Sequence, residues 1–379
     1  MPEPRLRTPA GLVRARALGI PFDGEPGPLN AITDVAGVEV GHATVVEGAD
    51  VRTGVTAIHP RGRAHPGDPC AAGVFVLNGN GEMTGAAWVE ESGTLALPVT
   101  LTSTHAVGVA HAATISWVAR REPALAELWL LPVVAETWDG RLNDVDGGHV
   151  TESVVHAALD GARPGTVEEG SVGGGTGMVA YGFKGGAGTA SRRVELDGTG
   201  YLLGAYVQAN FGAPEELLVG GVPVGRELAE LLPAAPAAPP HGAGSVIVVV
   251  ATDAPLLPHQ CKALARRAAL GLGRSGTTGS HWSGDIALAF STANAGAFRR
   301  GAPRTAEPAG GRLDFLQWHA LDRFYAAAVQ AVDEAVVNAL TANRDMTGKG
   351  GLTVPALPHD RLRALLAAHG RLDTDNPAR

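Results

Sequence analysis

Residues 246–250, Val-Ile-Val-Val-Val, are an uninterrupted run of β-branched apolar side chains. Such side chains are stiff at χ1 and pack well on a pleated surface. A run with no polar alternation suits a strand covered on both faces. A chain that contains one must supply two further layers, one against each face. The run follows directly on PAAPAAPPHGAG, residues 233–244, which has four prolines, two glycines and no periodicity and reads as a surface linker. A flexible connection therefore leads straight into the centre of a sheet.

The rest of the chain can supply those layers. Short β-type runs at 38–40, 55–58 and 74–78 alternate with glycine turns, and 131–136, 202–210 and 285–290 read as further strands. Helical spacing is found over 103–119, with Ser103 and Thr104 as N-cap candidates, and over 151–162, 258–270, 315–340 and 360–369. The first 28 or so residues are rich in Arg, Pro and Gly and read as an arm or loop. Segment 170–191 reads as a tightly turned Gly-rich loop. No internal repeat is found. Strands and helices mix in both halves, which favours α/β layers, and 379 residues suffice for a single large domain of that class.

With 45% hydrophobic and 18% charged residues the composition is globular, and a net charge of −8 offers no electrostatic footing for nucleic acid. Cys70 and Cys261 lie far apart and build neither a disulfide framework nor a C-x-x-C metal site. The N-terminal segment has no apolar h-region, and no apolar run approaches 18 residues. The expectation is a soluble cytoplasmic protein with no membrane partner.

A chain with 52 glycines produces phosphate-loop look-alikes. Gly271-Leu-Gly273-Arg-Ser-Gly276 fits G-x-G-x-x-G but follows a helix, so no βα turn aims N–H groups at a pyrophosphate. Gly175-Thr-Gly177-Met-Val-Ala180 follows a loop, and Gly177, Gly182 and Lys184 miss the Walker A spacing by one residue. No G-x-S-x-G or H-E-x-x-H occurs, and His105 and His111 fall on different helix faces. No metal and no organic cofactor is expected.

The junction Gly244-Ser245 is chemically distinctive. A serine Oγ can attack the preceding carbonyl, which glycine leaves sterically open, and hydrolysis of the ester exposes a new N-terminal serine. Its α-amine, with a pKa near ~7.7–8.0, can act as base for its own hydroxyl. On spacing alone, a linker before an ordinary strand remains open.

The stretches GSVIVVVATDAPLLPHQCKALARRAALGLGRSG and SGDIALAFSTAN, with PLNAITDVAGVEVGH, LNGNGEMTG, PVVAETWDGRLND, GSVGGGTGMVAYGFKGGAGTASR and YVQANFG, resemble the DmpA or P1 family of L-aminopeptidase/D-esterase-amidases and β-peptidyl aminopeptidases. The resemblance covers residues 28–355. It implies an α/β/β/α sandwich like that of N-terminal-nucleophile hydrolases, formed by one catalytic domain, 1–379. It implies self-cleavage at Gly244–Ser245 into an α chain, 1–244, and a β chain, 245–379. By position it makes Ser245 the nucleophile, with Ser283 and Asp285 as the partners that orient it and relay its proton. Asn210 becomes the oxyanion donor, Glu136 the group facing the substrate ammonium, and Trp138 a pocket wall. Some relatives carry Glu at the place of Asp285 and Tyr at that of Trp138. The first change shortens the carboxylate's reach here by one methylene; the second puts a hydrogen bond from that position in doubt.

Read without the resemblance, Asn210 serves a turn beside Gly212, Ser283-Gly-Asp285 is a turn before a strand, and Glu136 and Asp139 cap a loop. Lys184 and Arg192 read as surface charges. The activity implied is an aminopeptidase on small peptides, amides or esters through an acyl-enzyme, open among L-α, D-α and β-amino acyl groups. The resemblance also implies a homotetramer of α/β units, and the alanine-rich helix over 315–340 suits close packing between subunits. The rivals are an N-acyltransferase of the ornithine acetyltransferase type, which uses threonine at the cut, and a non-catalytic assembly protein on the same fold.

Overall fold

A computed structural model of the chain describes residues 3–232, 242–298 and 310–373. Its strands, in chain order, are β1 Glu39–Glu47, β2 Val51–His59, β3 Cys70–Gly79, β4 Thr94–Leu95, β5 Val99–Ser103, β6 Val133–Thr137, β7 Val179–Ala180, β8 Phe183–Lys184, β9 Gly186–Leu196, β10 Thr199–Asn210, β11 Gly244–Thr252 and β12 Ser283–Ser291. Two short strands, β13 Met346–Thr347 and β14 Thr353–Val354, form a separate hairpin. The helices are α1 Ala86–Ser92, α2 Val107–Arg121, α3 Pro123–Ala126, α4 Glu152–Gly161, α5 Val224–Glu227, α6 Pro258–Arg274, α7 Asp322–Thr341 and α8 His359–Ala368.

The main strands form two sheets, β1-β2-β5-β6 and β4-β3-β12-β11-β10-β9. Period-two alternation sorts their side chains into three cores. Val55, Ala57 and Val134 of the smaller sheet meet Trp117 and Val118 of α2 and Val155 and Leu159 of α4. Ile58, Val99, Leu101, Val133 and Ala135 on its other face meet Ile247, Val249, Leu288 and Phe290 of the larger sheet. Val246, Val248, Val250, Ala287 and Ala289 turn outward onto Leu264 and Ala268 of α6 and Val332, Val336 and Leu340 of α7. This is the expected α/β/β/α sandwich. The valine run is covered on both faces, as its lack of alternation requires.

Several sequence expectations are corrected. The helix over 103–119 starts later: Ser103 ends β5, Thr104–Ala106 is one 3-10 turn, and the α-helix is Val107–Arg121. The helix over 315–340 begins at Asp322, after a 3-10 turn at Trp318–Ala320. Its apolar circumference is buried within this chain between β9, β10 and α6, so it gives no support to an oligomer. The Gly-rich segment 170–191 has a 3-10 turn at Gly173–Gly175, the β7–β8 pair and then the long strand β9. The G-x-G-x-x-G look-alike has its first two glycines inside α6. In the linker, residues 233–241 lie outside the described residues, and Gly244 already belongs to β11.

The supposed N-terminal arm is anchored in the core. Arg16 makes two bonds of 2.7 Å to Glu334 of α7, and Arg192 of β9 reaches the same carboxylate at 2.8 Å. Asn30 Nδ2 donates to it at 2.6 Å. Arg14 pairs with Glu169 at 2.6 Å. All of these side chains are buried, so Arg192 is no surface charge, and neither is Lys184. The guanidinium groups of Arg192 and Arg16 hold the Glu334 carboxyl at about 2, against the desolvation that would raise it.

Removing that carboxylate leaves two guanidinium groups without their charge partner in the core. Glu334→Ala should lower the free energy of unfolding by about 3–5 kcal/mol in urea titration. The folded pKa lies below the ordinary value, so the carboxylate's contribution is complete above about 4.5 and is lost as pH falls through about 2. The wild-type urea midpoint should therefore drop across that window by more than that of Glu334→Gln.

Candidate active site

The candidate residues gather around the Ser245 end of β11, with Ser245, Asn210 and Glu136 between the sheets and Ser283 and Asp285 on the other face of the larger sheet. β11 lies antiparallel to β10 and parallel to β12, with Ser245 opposite Asn210 on one side and Gly284 on the other. Alternation places Ser245 with Ile247 and Val249, whose side chains point between the sheets. Asn210 shares that orientation with Gln208, whose side-chain amide crosses to the smaller sheet, Nε2 donating to Thr102 O at 3.1 Å and Thr137 Oγ1 at 2.8 Å. Glu136, on β6 of that sheet, comes from the opposite wall.

Ser245 is 2% exposed, and its Oγ is buried without a hydrogen-bond partner among the described residues. An unpaired buried hydroxyl is costly and uncommon in a folded protein. The residue before it has to be glycine on packing grounds: a β-carbon at Gly244 would lie 2.2 Å from Asn210 O. The Gly244 carbonyl is thus flanked by no side chain of its own.

Ser283 stands opposite Gly244, and Asp285 opposite Val246. Ser283 Oγ donates to Asp285 Oδ1 at 2.5 Å. This pair flanks the Gly244–Ser245 peptide on the face turned away from the Ser245 side chain, and it makes no hydrogen bond to Ser245 Oγ. Asn78 holds Asp285 by side chain and backbone, with Nδ2 donating to Asp285 Oδ2 at 3.0 Å and Oδ1 accepting from the Asp285 backbone N–H at 2.6 Å. Burial raises the Asp285 carboxyl above its ordinary range, and the bonds from Ser283 and Asn78 pull against that.

Asn210 has a determined amide orientation. Val179 N–H donates to its Oδ1 at 2.9 Å, and a backbone N–H can only donate, so Nδ2 occupies the other side. There one hydrogen goes to Trp138 O at 3.0 Å, and the second is left for another acceptor. Trp138 itself is half-buried and lies over Gly140. Its recorded hydrogen bond in the site runs through the backbone carbonyl, which any residue type would supply.

Glu136 is 3% exposed; it accepts from Thr104 Oγ1 on one oxygen and from Glu82 N at 3.0 Å on the other. Burial raises its pKa, while these two donors lower it. Gly81 lies between Glu136 and β12: a β-carbon there would sit 3.0 Å from Gly284 Cα and 3.3 Å from Glu136 Oε1. Asp139 faces elsewhere, bonding Ser103 Oγ at 2.8 Å and Asn143 Nδ2 at 3.1 Å.

Three contributors went unassigned in the sequence: Asn78, Thr104 and the Val179 N–H. Asn78 lies within the stretch LNGNGEMTG and Val179 within GSVGGGTGMVAYGFKGGAGTASR, which is a signal for each; Thr104 reads only as an N-cap candidate, because its role arises from a contact across strands. Among the described residues no group of three or more His, Cys, Asp or Glu is placed to hold a metal ion. No helix of the described residues is long and apolar enough to cross a membrane.

The whole chain has close relatives. Beta-peptidyl aminopeptidase BapA of Sphingosinicella microcystinivorans is 47% identical over 380 residues, covering 95% of this chain and 93% of the relative. The solved L-aminopeptidase D-Ala-esterase/amidase from Ochrobactrum anthropi, described as a prototype for the serine aminopeptidases and a new variant among the Ntn hydrolase fold, superposes with a TM-score of 0.88 at 48% identity, over 95% of this chain and 99% of that one. A Burkholderia sp. beta-aminopeptidase superposes with a TM-score of 0.87 at 45% identity, over 94% and 99%. These likenesses favour the hydrolase over an ornithine-acetyltransferase-type acyltransferase or a non-catalytic assembly protein. With residues 30–354 matching its family throughout, the chain belongs to peptidase family S58 and is an aminopeptidase on an Ntn-hydrolase-type fold.

Proposed function

We propose that this aminopeptidase cuts its own chain at Gly244–Ser245 and then uses Ser245 as an N-terminal nucleophile. The observation that carries the reading is the buried Ser245 Oγ, without a partner, beside a glycine carbonyl at the head of β11. Oγ adds to the Gly244 carbonyl carbon, the C–N bond breaks, and water hydrolyses the ester to give the α chain, 1–244, and the β chain, 245–379. Before the cut the Ser245 nitrogen is a non-basic amide; afterwards it is an α-amine able to take the Oγ proton. Ser283 and Asp285, which lie across from Gly244 and Val246 on β12, are the partners that orient Ser245 and relay its proton.

In turnover Ser245 Oγ attacks the substrate carbonyl. The unused Asn210 Nδ2 hydrogen stabilises the oxyanion, and Glu136 accepts the substrate ammonium, with Trp138 walling the pocket. The amine leaves with a proton, and water releases the acyl group. Every group in this sequence belongs to the chain or to water. The substrates are small peptides, amides or esters with a free amine. The relatives' names extend the range to β-amino acyl groups and D-alanyl esters. By the same resemblance the processed units form a homotetramer. The free, buried Cys70 and Cys261 fit a reducing cytoplasm.

Purified wild type should show two chains with a single internal N-terminus, Ser-Val-Ile-Val, by Edman sequencing. Ser245→Ala should stay one folded 38.6 kDa chain without activity. Efficient, uniform cleavage of the alanine variant would remove Ser245 from processing.

Loss of the carboxylate at 136 removes a charge-assisted contact of about 1.5–3 kcal/mol, so Glu136→Gln should raise KM for free-amine substrates about 10- to 100-fold while leaving chain cleavage intact. Because burial raises the Glu136 pKa, wild-type KM should climb as pH falls through that raised value and the carboxylate is neutralised. KM of Glu136→Gln should stay flat over the same range. Equal hydrolysis of N-acetylated and free peptides would count against the assignment.

A further inference from the structure

Lys184 lies on β8 and is completely buried. Among the described residues no carboxylate pairs with it, and burial alone draws its ammonium down to about 7. A lysine in that position is unfavourable unless its hydrogens are used. They are: Nζ donates to Met178 O at 2.8 Å and to Gly185 O at 2.9 Å, with Gly175 O at 3.5 Å. Both protonation states carry enough hydrogens for the two short bonds.

One of those carbonyls leads to the candidate site. Met178 O and Val179 N belong to the same peptide unit. Its oxygen accepts from Lys184, and also from Gly185 N at 3.0 Å, while its N–H donates to Asn210 Oδ1 at 2.9 Å. Donation to a peptide oxygen withdraws electron density and makes the N–H of that unit a stronger donor, so hydrogen bonds in series strengthen one another. The series runs from Lys184 Nζ through the 178–179 peptide to the Asn210 amide, and ends at the Nδ2 hydrogen left free beside Ser245. The peptide is further constrained by the pairing of Val179 with Lys184 across β7–β8, and Asn343, two residues past α7, directs Nδ2 at Lys184 O, Gly185 O and Ala339 O of α7.

We propose that Lys184 is a positioning residue for the oxyanion donor: through the Met178–Val179 peptide it fixes and polarises the Asn210 side chain with Nδ2 turned toward the reacting carbonyl. The inference rests on the oxyanion role given to Asn210 above. It predicts an effect on the transition state and not on substrate binding, since the oxyanion exists only after attack.

The test is a double-mutant cycle of Lys184→Met and Asn210→Ala, with steady-state kinetics on an aminoacyl p-nitroanilide expressed per processed β chain. Lys184→Met should lower kcat about tenfold, less than the ~10²–10³-fold typical of losing an oxyanion donor outright, with KM within about twofold. In the Asn210→Ala background it should lower kcat no further. An unchanged kcat in Lys184→Met, or an equal loss in both backgrounds, overturns the inference. Full activity in Asn210→Ala overturns the oxyanion assignment and this inference with it, and is distinct from a slow Asn210→Ala beside a fast Lys184→Met. Thermal unfolding monitors folding. Should Lys184→Met not fold, Lys184→Gln, too short to span both carbonyls, takes its place and is read by the same two criteria.

Discussion

Strand β11 is hydrogen-bonded on both sides and covered on both faces, and the register that results positions the site. β10 sets Asn210 against Ser245, and β12 sets Ser283 against Gly244. A slip of one residue would turn Ser245 from the inter-sheet space toward α6 and α7, and would drive Ile247 and Val249 into the wrong core. Burial of the valine run and placement of Ser245 are therefore the same constraint. The absence of a side chain at Gly244 lets β11 lie against the end of β10, where any β-carbon would meet the Asn210 carbonyl.

Around this frame the chain holds charge in low-dielectric places, by two different means. Glu334 is surrounded by guanidinium groups and an amide, so its charged form is favoured despite full burial. Glu136 and Asp285 have hydrogen-bond donors but no adjacent cation, and burial leaves both carboxyls raised. The first arrangement fastens the N-terminal segment and β9 to α7. The second leaves carboxyl groups able to gain from a ligand's positive charge or to exchange a proton, which suits a site acting on amines. The Ser245 hydroxyl, without a partner among the described residues, fits the same pattern: buried polar groups held at a cost cluster at functional sites.

Much of the architecture was legible in sequence because it depends on local period. The valine run, the alternation of 55–58 and the helical spacing of α4, α6 and α7 each follow from which faces must be apolar. Boundaries were less legible. Ser103 and Thr104 suit an N-cap by type, yet Ser103 completes β5 because its neighbours 99–102 are β-branched or apolar and pair with β2 and β6. The alanine-rich α7 looked like a surface for another subunit; it is small-sided because it must approach β9 and β10 closely within the chain.

The sequence by itself determined that strands and helices form α/β layers, the junction of linker and buried strand, and, through the resemblance of its consecutive motifs, the layer order, the family and the residues to inspect. Tertiary structure alone decided their mutual placement: that Ser283 and Asp285 flank the Gly244–Ser245 peptide and not the serine hydroxyl, that Asn78 grips Asp285 across 207 residues, and that Lys184 and Arg192 lie inside. The reason is physical. Periodicity records which side of an element is apolar, a property of neighbours in the chain. A polar side chain's role depends on which distant carbonyl, amide or carboxylate the completed sheets bring within about 3 Å, and no local pattern encodes that distance.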